Sequence, residues 1–341
     1  MLGHKDPHSH NHILDTSHSE HGHDHTHGTV DPALLTTEKG LRTIQWTFLA
    51  LLVTALLQAG IVVLSGSVAL LADTIHNFGD AVTAIPLWVA FAFARKKPTA
   101  RFSYGYGRVE DLAGIVVVLA ILLSGVAVAY ESIQRLMNPQ EIHYLWMVVA
   151  GALIGFTGNE AVAVFRLKVG KEIGSAALVA EGYHARADGL SSLAVLFGTL
   201  GVWFGFPLAD PLVGLLITIV IFKIAWESGK SVITRLLDGV DPEVIEEVTH
   251  AAQHVLGVQD LTEVRVRWIG HRLLAEVNIG VQSDLTVEQG HAIAQEVRHQ
   301  LLHHLHYLSN ATIHIDPMSA SGEMHHRVLN HQHDDLSSHA H

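Results

Sequence analysis

The sequence predicts an all-α six-helix transmembrane bundle followed by a small C-terminal α+β domain of order αββαβ. Three observations carry this. Long apolar runs recur between residues 44 and 226, separated by short polar stretches. Charged residues make up only 16% of the chain, against about 25% in ordinary soluble domains. Beyond residue 240 the apolar runs give way to alternating and helical patterns with charge on one side. The mean hydropathy of +0.29 therefore reflects a local charge deficit, a membrane domain with soluble parts attached. Cysteine is absent, which excludes disulfides and thiolate metal sites. With only 5 methionines the chain also lacks the soft ligands that a copper(I) carrier needs. A net charge of −12 argues against a nucleic-acid partner.

Residues 1–40 are read as a disordered, histidine-rich cytoplasmic tail. His4, His8, His10, His12, His18, His21, His23, His25 and His27 alternate with Ser, Asp and Gly, and almost nothing there is apolar. Such a segment cannot bury enough surface to offset its ordering entropy. Its irregular spacing points to weak, multivalent metal capture, where an expression tag would be an unbroken run. No cleavable signal peptide is visible.

Residues 41–238 are read as the transmembrane domain. Its predicted spans are 44–64, 68–94, 112–130, 144–165, 176–204 and 211–226. A spanning helix needs about 20 apolar residues, so each is long enough or nearly so. Cations gather in alternate connections. Arg95, Lys96, Lys97, Arg101 and Arg108 follow the second span, Arg166, Lys168 and Lys171 the fourth, and Lys230 and Arg235 the sixth. The positive-inside rule then puts both termini in the cytoplasm, and the expected setting is a multi-pass protein of the bacterial inner membrane.

The second and fifth spans are the polar ones. His76 and Asp80 stand four residues apart in one, and His184 and Asp188 repeat the spacing in the other. Residues four apart share a helix face. A single such pair also has an ordinary reading as a polar contact between helices. Two copies on antiparallel spans instead offer two imidazoles and two carboxylates to one divalent ion, zinc first. Two ionised carboxylates and two neutral imidazoles around Zn²⁺ carry no net charge, which suits a bilayer. Once the metal leaves, protons are the natural replacement, because desolvation raises carboxylate pKa values. Asp73, Asn77 and Asn159 are candidates for the surrounding shell that orients the ligands.

Residues 239–317 are read as the soluble domain. Asp241 should cap a helix from residue 242. Val264, Val266 and Trp268 alternate along one strand, and Gly270-His271-Arg272 turns into a second. Thr286 should cap another helix, and a short strand ends near residue 315. Residues 318–341 are read as a second disordered tail, with His325, His326, His331, His333, His339 and His341.

The stretches Leu71-Ala-Asp-Thr-Ile-His-Asn-Phe-Gly-Asp80, Tyr104-Gly-Tyr-Gly-Arg-Val-Glu110, Ala177-Leu-Val-Ala-Glu-Gly-Tyr-His-Ala-Arg-Ala-Asp-Gly-Leu-Ser-Ser192 and Asp210-Pro-Leu-Val-Gly-Leu215 carry a resemblance. Over residues 40–317 the chain resembles the cation diffusion facilitator family, zinc-transporting type. The resemblance implies six membrane helices, a metallochaperone-like cytoplasmic domain, a homodimer and exchange of metal for protons. It names the same transport ligands, His76, Asp80, His184 and Asp188. It also implies a cytoplasmic metal site at His291, His314 and Asp316, where Zn²⁺ would be a regulatory ligand. Asn278 and Thr262 replace histidines found in some members, so that site is reduced, or the two histidines are ordinary surface groups. Aromatic residues in Phe102-Ser-Tyr-Gly-Tyr106 stand where other members bind a further metal, so that site should be missing.

The expected function is proton-coupled efflux of a divalent metal, Zn²⁺ foremost, by alternating access. The metal ion, protons, the lipid bilayer and a second copy of the chain are its expected partners. The open alternatives are another divalent metal (Cd, Co, Ni, Fe or Mn) and a membrane metal sensor or store. An enzyme is not expected: an intramembrane metalloprotease needs a glutamate beside its histidine, and neither pair has one.

Overall fold

The computed structural model describes residues 32–65, 83–138, 145–206, 208–305 and 307–322. The membrane part comprises α1 (Pro32–Ser65), α2 (Thr83–Ala94), α3 (Arg108–Met137), α4 (Leu145–Ile173), α5 (Ala176–Trp203) and α6 (Ala209–Leu236). Among the described residues, four helices are long and apolar enough to cross a membrane: α1, α3, α4 and α6. Helix α5 is as long as α6, but Glu181, Arg186 and Asp188 interrupt its apolar character.

The helices outrun the apolar runs that predict them. Helix α1 begins at Pro32, well before the expected span at residue 44, with proline in the first turn where its missing N–H costs nothing. Its buried side runs Thr37, Ile44, Thr47, Leu51, Ala55, Gln58, a helical stripe that is half polar. Helix α4 continues to Ile173. Arg166, read from the sequence as a connecting-loop cation, is therefore inside the bundle and only 1% exposed.

The bundle is packed as lipid requires. Small residues fill its interior: Ala177, Ala180, Ala187, Gly114 and Ser124 are buried. Large apolar side chains such as Leu123, Ile219 and Trp226 face outward. With hydrocarbon outside, apolar side chains gain little by turning inward, and small residues let backbones approach. A Cβ on Gly182 would lie 2.8 Å from Leu167 Cγ, and one on Gly170 2.9 Å from the Val179 backbone nitrogen. Helices α4 and α5 thus meet almost backbone to backbone.

The soluble domain has the expected order: α7 (Pro242–Gln253), β1 (Asp260–Ile269), β2 (Arg272–Val281), α8 (Val287–His304) and β3 (Leu308–Pro317). The sheet order is β1-β2-β3, with β1 and β2 antiparallel and β2 and β3 parallel. Its core is conventional: Val248 and Ala252 of α7 and Val297 and Leu301 of α8 cover Leu273, Val277 and Ile279 of β2. Thr286 caps α8 and forms a full capping box with Gln289, as its position predicts. Asp241 precedes α7, but its side chain makes no capping hydrogen bond.

The β1–β2 hairpin does not end in solvent. Its tip is seated in the end of the helical bundle. Gly270 adopts φ +62°, and its N–H donates to Asp111 Oδ2 at 3.3 Å. His271 is stacked on Phe91 of α2, with ring centroids 5.4 Å apart. Its Nδ1 lies 2.6 Å from Glu110 Oε2 and its Nε2 2.9 Å from Thr37 Oγ1. Arg272 donates to the Ala94 carbonyl at 3.1 Å, and the Arg235 guanidinium covers the Trp268 ring at 4.3 Å. The early start of α1 is what brings Thr37 to this seat.

Candidate metal-transport site

Helix α5 presents the site. Ser175 caps it, accepting from the Leu178 N–H at 3.0 Å. From there the buried face carries Glu181, His184, Asp188 and Ser192, the spacing of one helical stripe. His184 and Asp188 are each 2% exposed. His184 Nδ1 lies 3.5 Å from Asp188 Oδ2. Ser124 of α3 donates to Asp188 Oδ1 at 3.3 Å. Asn159 of α4 is buried close by, with its Cβ 3.4 Å from where a Cβ on Gly189 would stand. Three helices thus converge on the fifth-span pair.

His76, Asp80, Asp73 and Asn77 lie outside the described residues. In the soluble domain His314 Nε2 and Asp316 Oδ1 stand 2.9 Å apart near the end of β3. His291 is exposed on α8. Among the described residues, no three His, Asp or Glu side chains are gathered to hold an ion, so the structure pairs two of the expected cytoplasmic trio and leaves His291 apart from a three-ligand group.

Two ion pairs flank the His184–Asp188 stripe, and sequence reading did not assign either. Arg186 donates to Glu160 of α4 at 2.6 and 3.1 Å in a half-buried, forked pair. Arg166 Nη1 donates to Glu181 Oε1 at 3.0 Å, and both residues are buried. Arg166 Nε donates to Thr47 Oγ1 of α1 at 3.0 Å. Thr83 of α2 donates to the same Glu181 oxygen at 3.3 Å. The available signal was Glu181 itself, three residues before His184 and so on its face.

Apolar spanning helices that bury an imidazole and carboxylates among them, with a soluble domain seated on one end, have the architecture of a membrane carrier for a cation. Residues 44–237 match the cation efflux transmembrane domain and residues 240–318 the cytoplasmic domain of cation efflux proteins. The chain belongs to the cation diffusion facilitator family: it is a multi-pass cation efflux transporter of divalent metal, not an enzyme. It is 50% identical over 297 residues to "Probable cation efflux system protein Rv2025c" of Mycobacterium tuberculosis, covering 87% of this chain and 89% of that one. The manganese efflux system protein MneP of Bacillus subtilis is 28% identical over 280 residues, 79% of this chain and 94% of that one. A cadmium, cobalt and zinc/H(+)-K(+) antiporter of Bacillus velezensis is 27% identical over 241 residues, 70% of this chain and 77% of that one.

Proposed function

We propose that this protein exports Zn²⁺ from the cytoplasm in exchange for protons, with His184 and Asp188 supplying half of the transport site and His76 and Asp80 the other half. The observation that carries the reading is the buried His184–Asp188 pair on α5. Two ligands about 2.0–2.1 Å from a tetrahedral zinc stand about 3.3 Å apart. The observed 3.5 Å is close to that and longer than a good N–H···O hydrogen bond. Ser124 holds the carboxylate, as partners beyond the ligand set do, and Asn159 packs beside the neighbouring Gly189.

The residue chemistry makes exchange natural. Binding requires neutral imidazoles and ionised carboxylates. When the ion departs, protons can take its place on the same groups. Access from one side at a time then lets an inward proton gradient drive metal outward. The choice of zinc rests on the two imidazoles, since harder ions such as manganese prefer oxygen ligands. The manganese relative keeps that alternative within the experiment, and cadmium, cobalt and zinc are in the name of another.

The remaining assignments follow the same logic. The cation-rich connections support cytoplasmic termini, and the bacterial relatives support a bacterial inner membrane. The match of the soluble domain to its family supports a homodimer. His314 and Asp316 are the groups that would take a regulatory zinc. Purified protein in liposomes with an imposed pH gradient tests the whole reading. Zn²⁺ should move against its gradient, faster than Mn²⁺ or Cd²⁺, and stop when the proton gradient is collapsed. Faster manganese flux would overturn the metal assignment, and gradient-independent flux the coupling.

A further inference from the structure

We infer that the Arg166–Glu181 pair is a gate on the metal path, closing it between His184 and the end of the bundle that holds the soluble domain. The inference rests on the transport reading above. Its first support is position. Helix α5 starts at Ala176, beside the seated hairpin, and reaches Glu181 after five residues and His184 after three more. At 1.5 Å per residue, Glu181 lies about 7.5 Å inside the helix start and about 4.5 Å before His184. A helical side chain leans toward the N-terminus of its helix, so the Glu181 carboxylate reaches back from the ligands toward that entrance.

The second support is connectivity. Arg166 and Glu181 are 1% and 0% exposed. Through Thr47, Thr83, Arg166 and Glu181, the cluster ties α1, α2, α4 and α5 together at one level. Around it α4 and α5 are in close contact at Gly170 and Gly182. The joined pair therefore lies across this face of α5, between the entrance and His184.

The third support is energetic. Buried ion pairs are weak stabilisers, and apolar replacements of the same size are often neutral or better. A guanidinium and a carboxylate inside an apolar bundle therefore point to a role other than holding it together. A gate has to be breakable, and this one meets a competitor that can break it. A divalent cation at the entrance brings twice the charge of Arg166 to Glu181 and repels the guanidinium. Arrival of the ion thus loosens the pair, and passage of the ion to His184 lets it close again. The glutamate serves as a transient stop on the way in, and the arginine as the latch.

The test separates gating from both structural support and ligand positioning. Arg166→Leu with Glu181→Leu removes both charges together, which avoids the uncompensated buried charge of either single variant. Zinc affinity of the purified protein and uphill zinc flux in liposomes are measured on the same folded, sized material. With the gate gone, the site stays open on the soluble-domain side. Affinity should stay within about threefold, or tighten, because the competent state is no longer a fraction of the population. Uphill flux should fall about tenfold or more, because both sides can no longer be closed in turn. Normal flux would reduce the pair to a structural contact and overturn the gate. A parallel loss of affinity and flux would make Glu181 a positioning group for His184, and would overturn it equally. If the double variant fails to fold, the swap Arg166→Glu with Glu181→Arg retains a pair and should restore uphill flux; a folded swap without flux would also overturn the gate. The unsubstituted chain is run alongside, and absence of uphill flux there sinks the transport reading instead.

Discussion

Two buried histidines, His184 and His271, sit in the same molecule at equal 2% exposure, each beside a carboxylate. At His271 the carboxylate is at 2.6 Å, the second ring nitrogen meets a hydroxyl at 2.9 Å, and one ring face is stacked on Phe91. An ionised Glu110 can only accept, so Nδ1 carries the proton and Nε2 is engaged by Thr37. That imidazole is spent on joining two domains. At His184 the neighbouring carboxylate stands at 3.5 Å, too far for a firm hydrogen bond and near the separation of two ligands on one ion. Burial alone does not mark a histidine as functional. The distance to its carboxylate separates a fastener from a ligand.

The largest effect expected from breaking this contrast is in transport. Asp188→Ala should reduce zinc flux by more than about a hundredfold, beyond the 10–100-fold typical for residues that merely support ligands. Flux in liposomes at equal protein loading checks it, and normal flux would remove Asp188 from the site. His271→Ala should act in the opposite sense. It strands Glu110 in a buried position, and should destabilise the protein by about 3–5 kcal/mol in denaturant or thermal unfolding while the folded fraction still binds zinc.

Ligand-linked stability sharpens the same comparison. Zinc at 100 times its Kd should stabilise the unsubstituted protein by about 2.7 kcal/mol. The increment should vanish in His184→Ala and persist in His271→Ala. A zinc-induced rise in Tm that survives in His184→Ala would place the measured binding elsewhere, with His314 and Asp316 as the next groups to remove.

The smallest expected effect tests how tightly the hairpin is seated. A Cβ on Gly270 would lie 2.7 Å from the Gly107 carbonyl oxygen, on a residue whose φ is already +62°. Gly270→Ala should cost about 1–3 kcal/mol of stability, as left-handed strain does. Hydrogen exchange should rise at the hairpin tip and at the starts of α1 and α3 together. Faster exchange confined to the hairpin would mean that the tip and the bundle end open independently.

Much of this was legible in the sequence because it depends on local pattern. Apolar length marked the spans at 112–130 and 211–226, and strand alternation with Thr286 capping gave the αββαβ order. The HxxxD spacing is a property of any helix, so His184 and Asp188 could be placed on one face before their distance was known. The same reasoning failed where burial and polarity part company. A hydropathy reading ends a span at its first cation, and so it put Arg166 in a loop. It also began the first span at residue 44, because Glu38, Lys39 and Arg42 stand on the exposed side of the first turns of α1. Whether a polar side chain faces water or another helix is decided by partners remote in sequence. Arg166 is satisfied by Thr47 and Glu181, and His271 by Glu110, 161 positions away. The sequence by itself determined which segments form helices and strands and which residues share a face, because those follow from backbone periodicity. Only the tertiary structure decided which charges are paired inside the bundle and which histidine is a fastener, because a buried charge takes its partner from whichever helix lies beside it.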